Sequence, residues 1–298
     1  MNNAAWADVA VVGAGNMGGA VVERLCELGW RVAVNDVSES AQARAGAAGA
    51  QVLASARLAA QSLKPGAALV VAVVDGEQMR DVLFGAEGAA AALQPGQVVL
   101  LCPTISPQDA ESTAQQLAAL GVDCMDAPMS GGPARARDGS MSLMLGGRAD
   151  VLRSHQRLLD AMSSRQFVVG GRVGDGARTK LVNNLLAGIN LVGAAEAIAL
   201  AERLGLDAAR TLDVIEQSSG QSWIGSDRMR RALAGDFAPR AHVGLLKKDT
   251  ALAVEAAHAA GFAGLLGPLA ARAFEQAHVG GMADLDDAAL LLWLRNNA

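Results

Sequence analysis

The run Gly174-Asp175-Gly176-Ala177-Arg178-Thr179-Lys180-Leu181-Val182-Asn183-Asn184 sets a lysine and an asparagine four residues apart. On a helix, residues at that spacing project from one face. Lys180 opens an otherwise apolar stretch, which would strip water from its ammonium and ease proton release. Such an amine can give a proton to a carbonyl oxygen during reduction and take it back during alcohol oxidation. Asn184 can hold the same oxygen or fix the lysine. On these residues alone, a lysine whose stem carries its charge out to solvent fits equally well.

A second cluster, Asp126-Ala127-Pro128-Met129-Ser130-Gly131-Gly132, follows a strand-like segment. Its Ser-Gly-Gly turn exposes successive N–H groups beside a hydroxyl, which suits a carboxylate or an alkoxide. An ordinary glycine turn has the same composition. The third is Val9-Ala10-Val11-Val12-Gly13-Ala14-Gly15-Asn16-Met17-Gly18, a strand entering GxGxxG and then a helix. Gly13 permits the tight turn, Gly15 the approach of a pyrophosphate, and Gly18 close helix–strand packing. Phosphates would sit over the helix start at Asn16 and Met17, where free N–H groups and the dipole favour negative charge. Asp36 ends the next strand, placed to accept hydrogen bonds from ribose hydroxyls and to repel a 2′-phosphate. Val37 and Ser38 follow it with no arginine, so NAD is expected in preference to NADP.

These residues need a frame. Short apolar segments at Val9–Val12, Arg31–Asn35, Leu69–Val74, Val98–Leu101 and Val122–Asp126 alternate with helical stretches such as Gly18–Leu28 and Ser106–Leu120. That alternation predicts a parallel sheet with helices on both faces. Ser142–Leu145 and Phe167–Val169 could extend it. From Asp175 onward no strand pattern appears, and helical spacing governs Lys180–Leu204, Ala208–Glu216 (with Asp207 as N-cap), Val243–Ala260 and Leu265–Ala277. The expectation is an α/β Rossmann domain over residues 1–170 and an all-α domain over 171–298. In the apolar segment Leu181–Ala201, Asn183, Asn184, Asn190 and Glu196 interrupt the pattern, which predicts a buried helix and no membrane span.

Composition narrows the partners. The formal net charge of −5 gives no pull toward nucleic acid or an anionic membrane. Three cysteines at unpaired spacings suit reduced thiols in a cytoplasm, and the first residues lack the basic start of a signal peptide. The four histidines form no ligand cluster, so no metal is expected. Half the residues are hydrophobic and Tyr is absent, so the cores must be built from aliphatic side chains.

Together, the glycine loop, the run at 126–132, the Gly-x-Gly-x-x-x-Lys-x-x-x-Asn run at 174–184 and the pair Lys248-Asp249 resemble the β-hydroxyacid dehydrogenases, with a 6-phosphogluconate dehydrogenase-like fold. The likeness spans about residues 8–275. It implies hydride transfer between a nicotinamide and a small hydroxy acid, of the 3-hydroxyisobutyrate, glycerate (tartronate semialdehyde) or threonate type. It makes Lys180 the general acid/base and Asn184 its assistant. Ser130, Gly131 and Gly132 would hold the substrate carboxylate, Thr104 would lie near the nicotinamide, and Lys248 would close over cofactor and substrate. A homodimer or homotetramer is implied as well. Leu101-Cys102-Pro103-Thr104 departs from the Asp-x-Ser-Thr of many members. Ser218–Trp223, with Asp227-Arg228, resembles the threonate dehydrogenase branch, which makes Trp223 either a pocket wall or a core residue. An imine reductase of the same fold and a catalytically silent NAD-binding protein are the alternatives, and the lysine argues against both.

Overall fold

The computed structural model describes residues 7–297. The chain divides into two compact units, one ending at Lys180 and the other beginning at Leu181. The expected border at 170/171 falls ahead of the helix Asp175–Arg203, whereas the division lies inside that helix.

The first unit is built on nine strands: β1 (Ala7–Val12), β2 (Val32–Asn35), β3 (Gln51–Val52), β4 (Leu63–Val71), β5 (Val98–Leu101), β6 (Asp123–Asp126), β7 (Met129–Ser130), β8 (Ser142–Gly146) and β9 (Arg165–Gly170). They form one sheet in the order β3-β2-β1-β4-β5-β6-β8-β7, with β9 paired to β8. β1 lies between β2 (Val9↔Val32 through Val12↔Asn35) and β4 (Val9↔Ala68 through Val12↔Val71), all parallel. The strand order therefore reverses at β1, and the carboxyl ends of β1 and β4 open the crevice where such sheets bind dinucleotides.

The central strands are apolar on both faces because both faces are covered. Val9 and Val11 enter one core with Val21, Leu25, Met125 and Leu143, while Ala10 and Val12 enter the other with Leu69, Met79, Leu83 and Leu117. Full burial of a valine contributes roughly 1.5–3 kcal/mol, so this alternation fixes the register.

Two features depart from the expected sheet. The two-residue strands β3 and β7 are too short to show a period. β8 runs antiparallel to β6 (Asp126↔Gly146) and to β7 (Met129↔Leu143, Ser130↔Ser142) while running parallel to β9. The Ser-Gly-Gly segment thus begins as a strand.

The second unit packs helices Ala208–Glu216, Trp223–Leu233, Val243–Ala259, Leu266–Ala277 and Leu290–Asn297 with the remainder of Asp175–Arg203. Its core gathers Leu191, Ala195, Ile198, Leu212, Met229, Phe274 and Leu291. Asp207 caps its helix by accepting from Arg210 N, and Ser222 does the same from Gly225 N. Among the described residues of this unit the only pairing of strand type is the bridge His242↔Asp286. The helix Asp175–Arg203 is only partly buried: Leu191, Ala195 and Ile198 face the core, but Val182, Leu186 and Leu200 are exposed. By length and composition it is apolar enough to cross a membrane.

Candidate active site

β1 ends at Val12 and the chain turns at Gly13, whose φ of +93° lies in the left-handed region. A Cβ there would fall 2.7 Å from the Ala72 carbonyl carbon and oxygen, and one on Gly18 would fall 1.9 Å from the Gly13 oxygen. Packing demands both glycines. Gly15 is different, since a Cβ on it would meet nothing within 4 Å among the described residues. Gly15 is the N-cap of the helix Asn16–Glu27, which has no side-chain cap and no acid in its first turn. A helix start kept free of side-chain acceptors, behind a residue without a side chain, fits an anion such as a pyrophosphate.

Asp36 is tied to this loop. Its Oδ2 accepts from Ala14 N at 2.5 Å and its Oδ1 from Ser38 N at 2.7 Å, while Gln42 Nε2 donates to its carbonyl. The carboxylate therefore shapes the glycine loop as well as facing the end of β2. Thr104 lies three residues past β5 and is half-buried. Nearby, burial pushes the Cys102 thiol up to about 12, which keeps it neutral and unsuited to attack.

The polar loop and the lysine meet. Met129 and Ser130 are zipped to β8, and the chain then turns through Gly131 (φ +129°) and Gly132 (φ +79°) into the helix Gly132–Asp138, which also lacks a side-chain cap. Lys180 is only 7% exposed, and its Nζ donates to the Met129 carbonyl at 2.6 Å. The ammonium is thus out of water and anchored to the main chain at the residue that precedes Ser130. A side chain reaching into solvent is not what the structure shows.

In the second unit, Asn184 Nδ2 donates to Asp249 Oδ2 at 2.6 Å, and Lys248 Nζ pairs with Asp249 Oδ1 at 2.8 Å. Asp249 is buried. It orients the amide and the ammonium together, a task the pair Lys248-Asp249 does not reveal as sequence. Trp223 is 48% exposed, so it is no core residue of this chain. Arg228 lies 5.8 Å from its ring centroid and is itself held by Asp287 at 2.7 Å and Asp227 at 2.6 Å.

The profile for the NAD binding domain of 6-phosphogluconate dehydrogenase matches residues 8–171. That for the NAD-binding region of NADP-dependent 3-hydroxyisobutyrate dehydrogenase matches residues 174–294. The chain belongs to the β-hydroxyacid dehydrogenase family. Members are NAD(P)-dependent oxidoreductases. This hydroxyacid dehydrogenase is 35% identical to an L-threonate dehydrogenase of Cupriavidus necator over 95% of both chains. It is 34% identical to a 3-hydroxyisobutyrate dehydrogenase of Pseudomonas aeruginosa, over 90% of this chain and 91% of that one. A crystal structure of 3-hydroxyisobutyrate dehydrogenase from Salmonella typhimurium superposes with a TM-score of 0.89 at 35% identity, covering 96% of this chain and 99% of the other.

Within the dehydrogenase, the structure joins the glycine loop at Ala14 to Asp36, and Met129, just ahead of Ser130–Gly132, to Lys180, inside the first unit. Asn184 and Lys248 share Asp249 in the second. Two residues without an expected task, Asp126 and Asp249, hold the helix start and the Asn184–Lys248 pair. The bonds of Asp126 to Gly174 and Ala177 and of Asp249 to Asn184 span 48, 51 and 65 residues, beyond the reach of any local pattern.

Proposed function

We propose that this enzyme oxidises a small hydroxy acid, of the threonate, 3-hydroxyisobutyrate or glycerate type, with Lys180 as general acid/base and NAD preferred over NADP. The observation that carries the reading is the buried Lys180 ammonium fixed on Met129 O, next to Ser130. The Ser130 hydroxyl and the N–H groups of Gly131 and Gly132 receive the substrate carboxylate. With the carboxylate fixed there, the neutral Lys180 amine takes the hydroxyl proton, and in the reverse direction the ammonium returns it. Asn184, oriented by Asp249, assists, and Trp223 forms a wall toward the substrate's side chain. A bound nicotinamide would supply the hydride acceptor; Gly13, Gly15, Asn16, Met17 and Gly18 would hold its pyrophosphate, with Thr104 and Lys248 on the nicotinamide side.

The NAD preference is supported by Asp36, a carboxylate where NADP would bring a phosphate, followed by Val37, which is 98% exposed and offers no charge. Exposed Val182, Leu186 and Leu200 on one helix support a homodimer or homotetramer that covers them. Three free thiols support a cytoplasmic location.

The test is absorbance at 340 nm with NAD or NADP and a panel of threonate, glycerate, 3-hydroxyisobutyrate, serine and 3-hydroxypropionate. On the best substrate, Lys180→Ala should lower kcat at least about a hundredfold. Wild-type oxidation should rise with pH, because the amine must be neutral to accept the proton. Equal rates for the variant, or a flat profile from about pH 6 to 10, would reject the assignment.

A further inference from the structure

Most helices take their N-terminal cap from the residue just before them. The Lys180 helix has Gly174 and then Asp175 at its start, and Gly174 has no side chain to offer. Its cap comes from elsewhere. Asp126, the last residue of β6, is buried, and its Oδ2 accepts from Gly174 N at 2.9 Å and from Ala177 N at 2.8 Å. These are N–H groups for which a helix start has no acceptor of its own, and the dipole favours an anion there.

The local chain lengths turn this cap into a ruler. Met129, whose carbonyl receives Lys180 Nζ, stands three residues after Asp126, and Lys180 stands three residues after Ala177. Two short pieces of backbone are thus pinned to one another at both ends. Glycines let them approach. A Cβ on Gly176 would fall 2.5 Å from Met144 O and 3.0 Å from Asp126 Cγ, and one on Gly146 would fall 2.1 Å from Asp126 Oδ1. The helix end is seated on the carboxylate as tightly as main chain allows. Keeping that carboxylate out of water is unfavourable: burial pushes it up to about 6 despite the two N–H groups that pull it down.

We infer that Asp126 is a positioning residue for Lys180, fixing where the ammonium stands along the Met129–Gly132 segment. The inference rests on Lys180 being the acid/base, as proposed above. Asp126 touches neither the glycine loop nor Asp36 in the hydrogen bonds it makes, so its loss should act on the chemical step and leave dinucleotide affinity alone.

The experiment compares Asp126→Ala and Asp126→Asn with wild type in four measurements. These are kcat on the best hydroxy acid, Kd for NAD, hydrogen exchange across residues 174–180, and acylation of the Lys180 amine by an activated ester, mapped by peptide mass spectrometry. Both N–H groups reach one oxygen, which asparagine retains, so Asp126→Asn should stay within about threefold of wild type in all four. Asp126→Ala should lower kcat by about 10- to 100-fold, the scale of an ångström of misplacement, with faster exchange at Gly174 and Ala177, faster acylation of Lys180 and an unchanged Kd. If the alanine variant does not fold, Asp126→Ser, with a single shorter acceptor, replaces it with the same expectations. Wild-type turnover in the alanine or serine variant overturns the inference. So does an equal loss in Asp126→Asn, or a loss accompanied by weaker NAD binding. An active Lys180→Ala enzyme would instead sink the acid/base reading, and exchange and acylation would still report whether Asp126 holds the lysine.

Discussion

Gly15→Ala separates what the glycine loop does for the fold from what it does for a ligand. The added methyl meets nothing within 4 Å among the described residues, and the backbone there (φ −64°, ψ −155°) lies just past the extended basin of alanine. The unliganded protein should therefore lose no more than about 1 kcal/mol of stability. A pyrophosphate over the first-turn N–H groups needs the same space, so NAD should bind at least about tenfold more weakly, a loss of ~1.4 kcal/mol. At a NAD concentration about 100 times the wild-type Kd, the ligand stabilises wild type by about 2.7 kcal/mol and the variant by about 1.4 kcal/mol. For a protein of this size the gap in NAD-induced melting shift is roughly 2 °C. Gly13→Ala is the contrasting control, because its φ of +93° and the 2.7 Å approach to Ala72 strain the fold itself. It should melt several degrees lower without any ligand. Scanning fluorimetry with and without NAD, backed by a titration of tryptophan quenching, reads both effects. The reasoning is refuted if Gly15→Ala binds NAD within threefold of wild type, or if it melts as low as Gly13→Ala without ligand.

Asp36→Ala should lower the ratio of kcat/KM for NAD to that for NADP, since it removes the charge that repels a 2′-phosphate. Losing its bond to Ala14 N should weaken both dinucleotides. An unchanged ratio, or a wild type already faster with NADP, would count against the ribose assignment. On β1, Arg31 and Lys64 hold the Asp8 carboxyl well below the usual carboxylate range. A depressed acid stabilises the fold above its unfolded value of about 3.9 and loses that contribution as pH falls further. With partners this exposed, Asp8→Asn should cost only about 1 kcal/mol at pH 7, and its melting deficit should shrink below about pH 4. A deficit that grows in acid would contradict the sign.

The sequence carries the Rossmann sheet openly, because Val9–Val12, Val32–Val34 and Val98–Leu101 are buried on both faces and have to be apolar throughout. It hides β7, since two residues show no period and Ser130-Gly131-Gly132 carries the chemistry of a turn. The helix Trp223–Leu233 also escapes, although Ser222 offers a cap: its three arginines and one aspartate dilute the apolar stripe. In the site, Lys180 and Asn184 are visible as an i, i+4 pair, and their company is not. Asp126 lies 48 residues from Gly174, and Asp249 lies 65 from Asn184. What holds a reactive group in place here is tertiary, and no window along the chain contains it.

Because Met129 and Ser130 are hydrogen-bonded into the sheet against Leu143 and Ser142, the proposed carboxylate anchor cannot gain or lose a residue without shifting strand pairing. A duplicated gene drifting toward a new hydroxy acid would find this segment closed to insertions and deletions.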